Sequence, residues 1–196
     1  DADIDKALEA SSKILKVRGR VIPATVQEIS LLAEMEDGTV VAGESQIPKS
    51  GKRIKRVFTE PALPRPEGAA LRAIDEADAV ILGPGSLYTS IMPNLLIDKI
   101  ADHIRNCKAP KFYICNVMTQ PGETDGYTAA DHVAALQRLA GDSIIDNVLV
   151  NDMPFTDDVI NKYKEKGAEP VRVDIDRLDA MGVRTIRANM LKDPGS

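Results

Sequence analysis

Residues 79–90 read AVILGPGSLYTS, and the fold follows from this stretch. Ala79 to Leu82 is a short, unbroken apolar run, the mark of a strand buried on both faces. Gly83-Pro84-Gly85 comes next, and a helical pattern opens beyond it with Pro93 near its start. A buried strand that turns through glycine into a helix is the repeating unit of a parallel α/β sheet. In open sheets of that kind, ligands sit beyond the carboxyl ends of the strands. Residues 83–90 are therefore the first candidate site.

The same alternation continues toward the C-terminus. Leu96, Ile97, Ile100, Ala101 and Ile104 share one helical face. Phe112–Val117 reads as a second buried strand, and Thr128–Leu139 as a helix with Thr128 and Asp131 near capping-box spacing. Asn147–Val150 is a third strand. Thr156 is the expected cap of a helix ending at Gly167, with Asp157 and Asp158 complementing its dipole. Val171–Val173 is the candidate fourth strand. On the N-terminal side, Ala70, Ala73, Ile74 and Ala77 form the apolar face of a helix entered near Pro66. From residue 66 onward the order alternates helix and strand, which predicts a doubly wound, mostly parallel sheet.

Before residue 61 the pattern differs. Residues 3–16 place Ile4, Ala7, Leu8, Ser11, Ile14 and Leu15 on one helical face. Ile29, Leu31, Ala33 and Met35 alternate, Asp37-Gly38 supplies a hairpin turn, and Thr39–Val41 returns. This predicts a small antiparallel hairpin unit. The chain thus divides into a helix-plus-hairpin segment, 1–60, and the ligand-binding part, 61–196, joined at Pro61, Pro64 and Pro66. Residues 49–56 read KSGKRIKR, a solvated edge or a contact for phosphate or an acidic surface.

Composition narrows the class. The chain has 196 residues, 43% apolar and 28% charged, enough for a real core in one ordinary domain. A net charge of −5 and a pI near 5.1 do not favour nucleic acid as a partner. Cys107 and Cys115 form no C-x-x-C pair and have no His cluster beside them, so neither a disulfide framework nor a zinc site is expected. No run approaches the roughly 18 apolar residues of a membrane span, and cytoplasmic residence is the expectation. The first residue is Asp1 rather than Met, and the chain closes on Asp193-Pro194-Gly195-Ser196, so it reads as a fragment.

Two loops carry the candidate chemistry. In the first, Gly83 and Gly85 let backbone approach a ligand, and Ser86, Thr89 and Ser90 offer hydroxyls. The first amides of the helix beyond favour an anion, so Gly83, Pro84, Gly85, Ser86, Leu87, Thr89 and Ser90 are together the expected phosphate-holding turn. It matches neither G-x-G-x-x-G nor a Walker loop, and a turn needing glycine only for geometry looks the same. The second loop, Asn116–Tyr127, follows the next buried strand and should share its rim. Asn116, Thr119, Gln120 and Thr124 suit hydrogen bonds to a base, sugar or phosphate, and Gly122 lies among them. Glu123 and Asp125 suit a metal or ribose hydroxyls. Asp152 follows the third strand on the same rim. His103 and His132 read as exposed or capping, and no nucleophile is spaced to form a triad with them.

Asp78–Leu96, DAVILGPGSLYTSIMPNLL, and Tyr113–Tyr127, YICNVMTQPGETDGY, resemble the gluconeogenesis-factor (YvcK-type) family. VRGRVIPAT over 17–25, EDGTVVAGES over 36–45 and IKRVFTEPALPRPE over 54–67 agree in order. The wider superfamily includes the 2-phospho-lactate transferases (CofD-like). The resemblance implies a Rossmann-like fold in a bacterial cytoplasmic protein needed for cell shape and growth on gluconeogenic carbon. It implies binding of UDP-sugars, notably UDP-N-acetylglucosamine, in a regulatory rather than catalytic role, with no certain cofactor. The alternative is an enzyme of the transferase branch, which uses a divalent metal to move a phosphorylated group between a nucleotide carrier and an acceptor. Homo-oligomerisation stays open. The family's opening GGGTG-type turn, its DDGGSSG-type loop and its RHDP-like segment are not in this chain. Half of a ligand rim and an exposed sheet edge are therefore expected.

Overall fold

The computed structural model describes residues 19–191, so the helix expected over 3–16 lies outside the described residues. The Asp37-Gly38 turn joins β1 (Ser30–Met35) to β2 (Val40–Ala42). Gly38 adopts φ +84°, and the Asp37 carboxylate accepts the Thr39 amide at 3.0 Å. The alternation holds: Ala33 and Met35 are fully buried, with Ala33 opposite Val41. The hairpin also gains a third strand. β3 (Ile54–Glu60) pairs antiparallel with the other edge of β1, giving the order β2-β1-β3. The end of the basic run is thus strand, and Lys55 and Arg56 both reach Glu34 across the pairing, at 2.6 and 2.7 Å.

The larger sheet is parallel, in the order β4 (Val80–Leu82), β5 (Lys111–Ile114), β6 (Asn147–Asn151) and β7 (Arg184–Ala188). Helix α1 (Gly68–Asp75) precedes it, with the Glu67 side chain accepting the Ala69 amide. The α/β class with a separate small antiparallel sheet is as expected. Sheet order follows chain order, so a reversal of direction is not among the described strands. Between β5 and β6 lies α4 (Ala129–Ala140). Thr128 and Asp131 close a complete capping box at its start.

Four expectations are corrected. The helix after the glycine turn is broken into a π-helical turn (Leu87–Ile91), a single turn α2 (Met92–Leu95) and α3 (Ile100–Asn106). Lys99, with a left-handed φ of +63°, ends any continuous run over Leu96–Ile104. β4 is not buried on both faces: Ile81 is 58% exposed, on the edge strand of the described sheet. Val171–Val173 is not a strand. Val171 donates to the Val117 carbonyl at 3.1 Å and Arg172 accepts the Ala129 amide at 2.9 Å, so the segment laces the β5 loop to α4. The fourth strand is β7, which follows α5 (Asp157–Lys164) and α6 (Ile175–Ala180). Finally, Thr156 stands at the N-cap of α5 without a side-chain cap bond.

Met35 and Val57 from the small sheet join Tyr88, Tyr113, Leu136 and Val148 in one hydrophobic cluster. Both sheets thus contribute to one hydrophobic cluster. Among the described residues no helix is long and apolar enough to cross a membrane.

Candidate functional site

The glycine turn separates into two jobs. Gly83 holds φ +96°, and a Cβ there would sit 3.3 Å from the Ile114 carbonyl oxygen. Only glycine fits both the left-handed backbone and the close approach to β5. Gly85 carries no such angle; a Cβ there would meet the Ser90 Cβ at 3.2 Å. Beyond it the chain winds as a π-helical turn, with Ile91 donating to Ser86 and Met92 to Leu87. Such turns recur at functional sites. Leu87 lies in the core with no exposure, and Ser90 is exposed.

Glu123 enters this turn from the second loop. Its Oε2 accepts the Tyr88 amide at 3.2 Å and its Oε1 accepts the Thr89 hydroxyl at 2.8 Å. Glu123 is 4% exposed. Burial pushes its carboxyl above the ordinary range, while the Thr89 and Tyr88 bonds pull it down by less. A carboxylate of the protein itself thus occupies the polarised start of the turn. Among the described residues the amides of Gly85 and Ser86, one step earlier, have no protein acceptor.

The remaining loop residues divide between scaffold and cleft. Thr119 is buried and pairs with the Glu169 backbone at 2.7 and 2.9 Å. Thr124 is buried, its hydroxyl accepting the Gln120 amide at 2.9 Å. Gly122 adopts φ +79°, and a Cβ there would lie 1.9 Å from the Pro48 carbonyl oxygen. That glycine lets the second loop dock on the small-sheet unit. Gln120 donates to the Ser86 hydroxyl at 2.7 Å and ties the two loops together.

A cleft runs along the carboxyl ends of all four parallel strands. One compartment, about 320 Å³, lies between Pro84-Gly85 and Asn116–Gln120. A second, about 340 Å³, continues past Asn116 to Asn151–Phe155. A third is walled by Met118, Met153, Phe155 and Tyr163 and reaches Asn189 beyond β7. Asn116 borders the first two, and among the described residues its buried Oδ1 has no hydrogen-bond partner. A buried acceptor left unpaired costs free energy, and a ligand donor would recover it. Sequence reasoning missed Met153-Pro154-Phe155, Tyr163 and Met190, because apolar residues after a strand carry no motif.

Neither histidine is poised for acid–base work in the cleft. His132 is fully buried rather than exposed, and its Nδ1 lies 2.8 Å from the Thr128 carbonyl oxygen. Burial holds its pKa below the usual value. His103 pairs with Asp75 at 2.7 Å, on the surface. Asp152 reaches the rim but faces Arg187 at 3.2 Å. Glu123 is committed to the turn, and the Asp125 carboxylate accepts the Gly122 amide at 2.7 Å. Among the described residues no three His, Cys, Asp or Glu side chains gather.

A family model described as 2-phospho-L-lactate transferase CofD matches residues 1–191. The chain is 52% identical over 184 residues to the gluconeogenesis factor of Halalkalibacterium halodurans, covering 94% of this chain and 57% of that protein. Against the gluconeogenesis factor of Bacillus subtilis the identity is 52% over 185 residues, covering 94% and 58%. A crystal structure of a UPF0052-family protein from Bacillus halodurans superposes with a TM-score of 0.92 at 50% identity, covering 97% of this chain and 62% of that one. The chain therefore spans 57–62% of the length of these relatives.

Proposed function

The chain belongs to the family described as 2-phospho-L-lactate transferase CofD, and from that premise we propose that the whole protein binds a nucleotide sugar of the UDP-N-acetylglucosamine type in the strand-end cleft. The role is regulatory: a cytoplasmic protein whose bound state supports cell shape and gluconeogenic growth. The name gluconeogenesis factor, carried by relatives at 52% identity, supports the physiological part.

The observation that carries the binding reading is the unpartnered Asn116 Oδ1 at the junction of two cleft compartments. It matches a ligand N–H, such as that of a uracil ring or an acetamido group. On one side, the Gly85 and Ser86 amides suit phosphate oxygens. Phe155 lines the second compartment and Tyr163 the first, and both offer flat apolar surface to a ring. In this reading the chain's residues bind and orient the ligand.

The test is a calorimetric titration of the full-length protein against UDP-N-acetylglucosamine and guanine nucleotides, with and without Mg²⁺. Saturable, metal-independent binding of the UDP-sugar with no product is the expected result. The description of the matching family model favours a second reading, a transferase that moves a phosphorylated group. Preference for a guanine nucleotide with metal-dependent turnover would replace the first reading with that one.

A further inference from the structure

The basic run KSGKRIKR is not absorbed by the ligand cleft. Lys52 is spent on Asp37 at 2.7 Å, holding the hairpin turn. Lys55 and Arg56 instead border a separate cavity of about 370 Å³ between β3 and α4. Arg138 of α4 is its third cation, and Phe58, Leu139 and the Tyr88 ring supply apolar wall. No residue lining it also lines the strand-end cleft.

The charge count there is unbalanced. Lys55 and Arg56 share the single carboxylate of Glu34, at 2.6 and 2.7 Å. Among the described residues Arg138 has no carboxylate within ion-pair distance. The cavity is therefore locally positive in a chain whose net charge is −5. Arg56 lies over the Phe58 ring, 5.1 Å from its centroid, which holds guanidinium and ring on one wall. A planar guanidinium presents paired donors that match phosphate oxygens, and stacking it on a ring limits the side-chain freedom lost on binding.

We propose that this cavity is a second ligand site, taking a phosphomonoester carried on a small apolar body. The cations meet the phosphate and the Phe58, Leu139 and Tyr88 surfaces meet the body. The volume lies within the ordinary range for small-molecule sites, about 300–1,000 Å³. An extended acidic partner would satisfy the charge but leave the concave apolar wall unfilled.

Phenyl phosphate is the probe, titrated into the full-length protein and followed by NMR shifts and calorimetry. Inorganic phosphate and phenol, each carrying half of the chemistry, are the comparators. Phenyl phosphate is expected to saturate, with both comparators weaker by about ten-fold or more. Arg56→Gln and Arg138→Gln change exposed side chains, so each should melt like wild type and weaken phenyl phosphate by about five-fold or more. Equal affinity for phenyl phosphate and inorganic phosphate overturns the proposal, as does indifference to both substitutions. Binding of an acidic peptide but not of phenyl phosphate overturns it too, and assigns the face to a protein partner. The strand-end cleft offers similar groups to phenyl phosphate, so the two substitutions, at residues that line this cavity and not that cleft, are what tie the binding to this site.

Discussion

Glu123 shows how a residue's type can be legible while its role is not. An acid in a polar loop after a buried strand suggests a ligand or metal contact. Instead its carboxylate accepts the Tyr88 amide and the Thr89 hydroxyl and holds the glycine turn in place. The sequence could not reveal this, because the two partners lie more than thirty positions away and meet only through the parallel pairing of β4 and β5. The assignment has a pH signature. Burial raises the Glu123 pKa in the folded state. The folded protein then keeps a proton that the unfolded chain releases near its ordinary value of about 4.3. Stability from this group is present below that pH and is lost as pH rises through the raised folded value. Glu123→Gln stays neutral at every pH. In urea melts at increasing pH, wild type should therefore lose stability relative to Glu123→Gln from about pH 4 upward. A difference that is flat with pH, or that grows in favour of wild type, would show the carboxyl is not raised.

At the level of elements, legibility tracks how local the signal is. Helix α4 starts where it was expected because Thr128 and Asp131 bond each other's backbone within one turn. The cap does more than its sequence shows. The Thr128 hydroxyl also meets the Asp174 carboxylate at 2.7 Å, and Arg177 reaches Asp131 at 2.9 Å, so it anchors the segment leading into α6. Thr128→Ala should cost about 1–2 kcal/mol, and Thr128→Ser should restore most of it, read from urea midpoints. Equal stability of all three proteins would mean that the cap carries no weight. β7 escaped notice for the opposite reason. Arg184-Thr185-Ile186-Arg187 has no unbroken apolar run, and only pairing with β6 makes it a strand. Lys99, with its left-handed backbone, breaks a helix that apolar periodicity alone would continue.

For the whole molecule, the second loop docks on the small-sheet unit at Gly122 and Pro48, and both sheets contribute to one hydrophobic cluster. The parallel α/β plan, the hairpin and the two rim loops were all readable in sequence. What was not readable was the cleft, which needs four strand ends in register and apolar walls from Met153 to Tyr163. Of the expected ligand residues, Pro84, Gly85, Asn116 and Gln120 line it, with Ser86 tied to Gln120 beside it. Thr119 also borders it while its hydroxyl serves the Glu169 backbone. The central claim rests on Asn116. The direct measurement is the dissociation constant of the full-length protein for UDP-N-acetylglucosamine, wild type against Asn116→Ala, at matched melting temperature. Loss of one buried ligand hydrogen bond should weaken binding by about ten-fold. Unchanged affinity in a normally folded variant would contradict the assignment of this cleft.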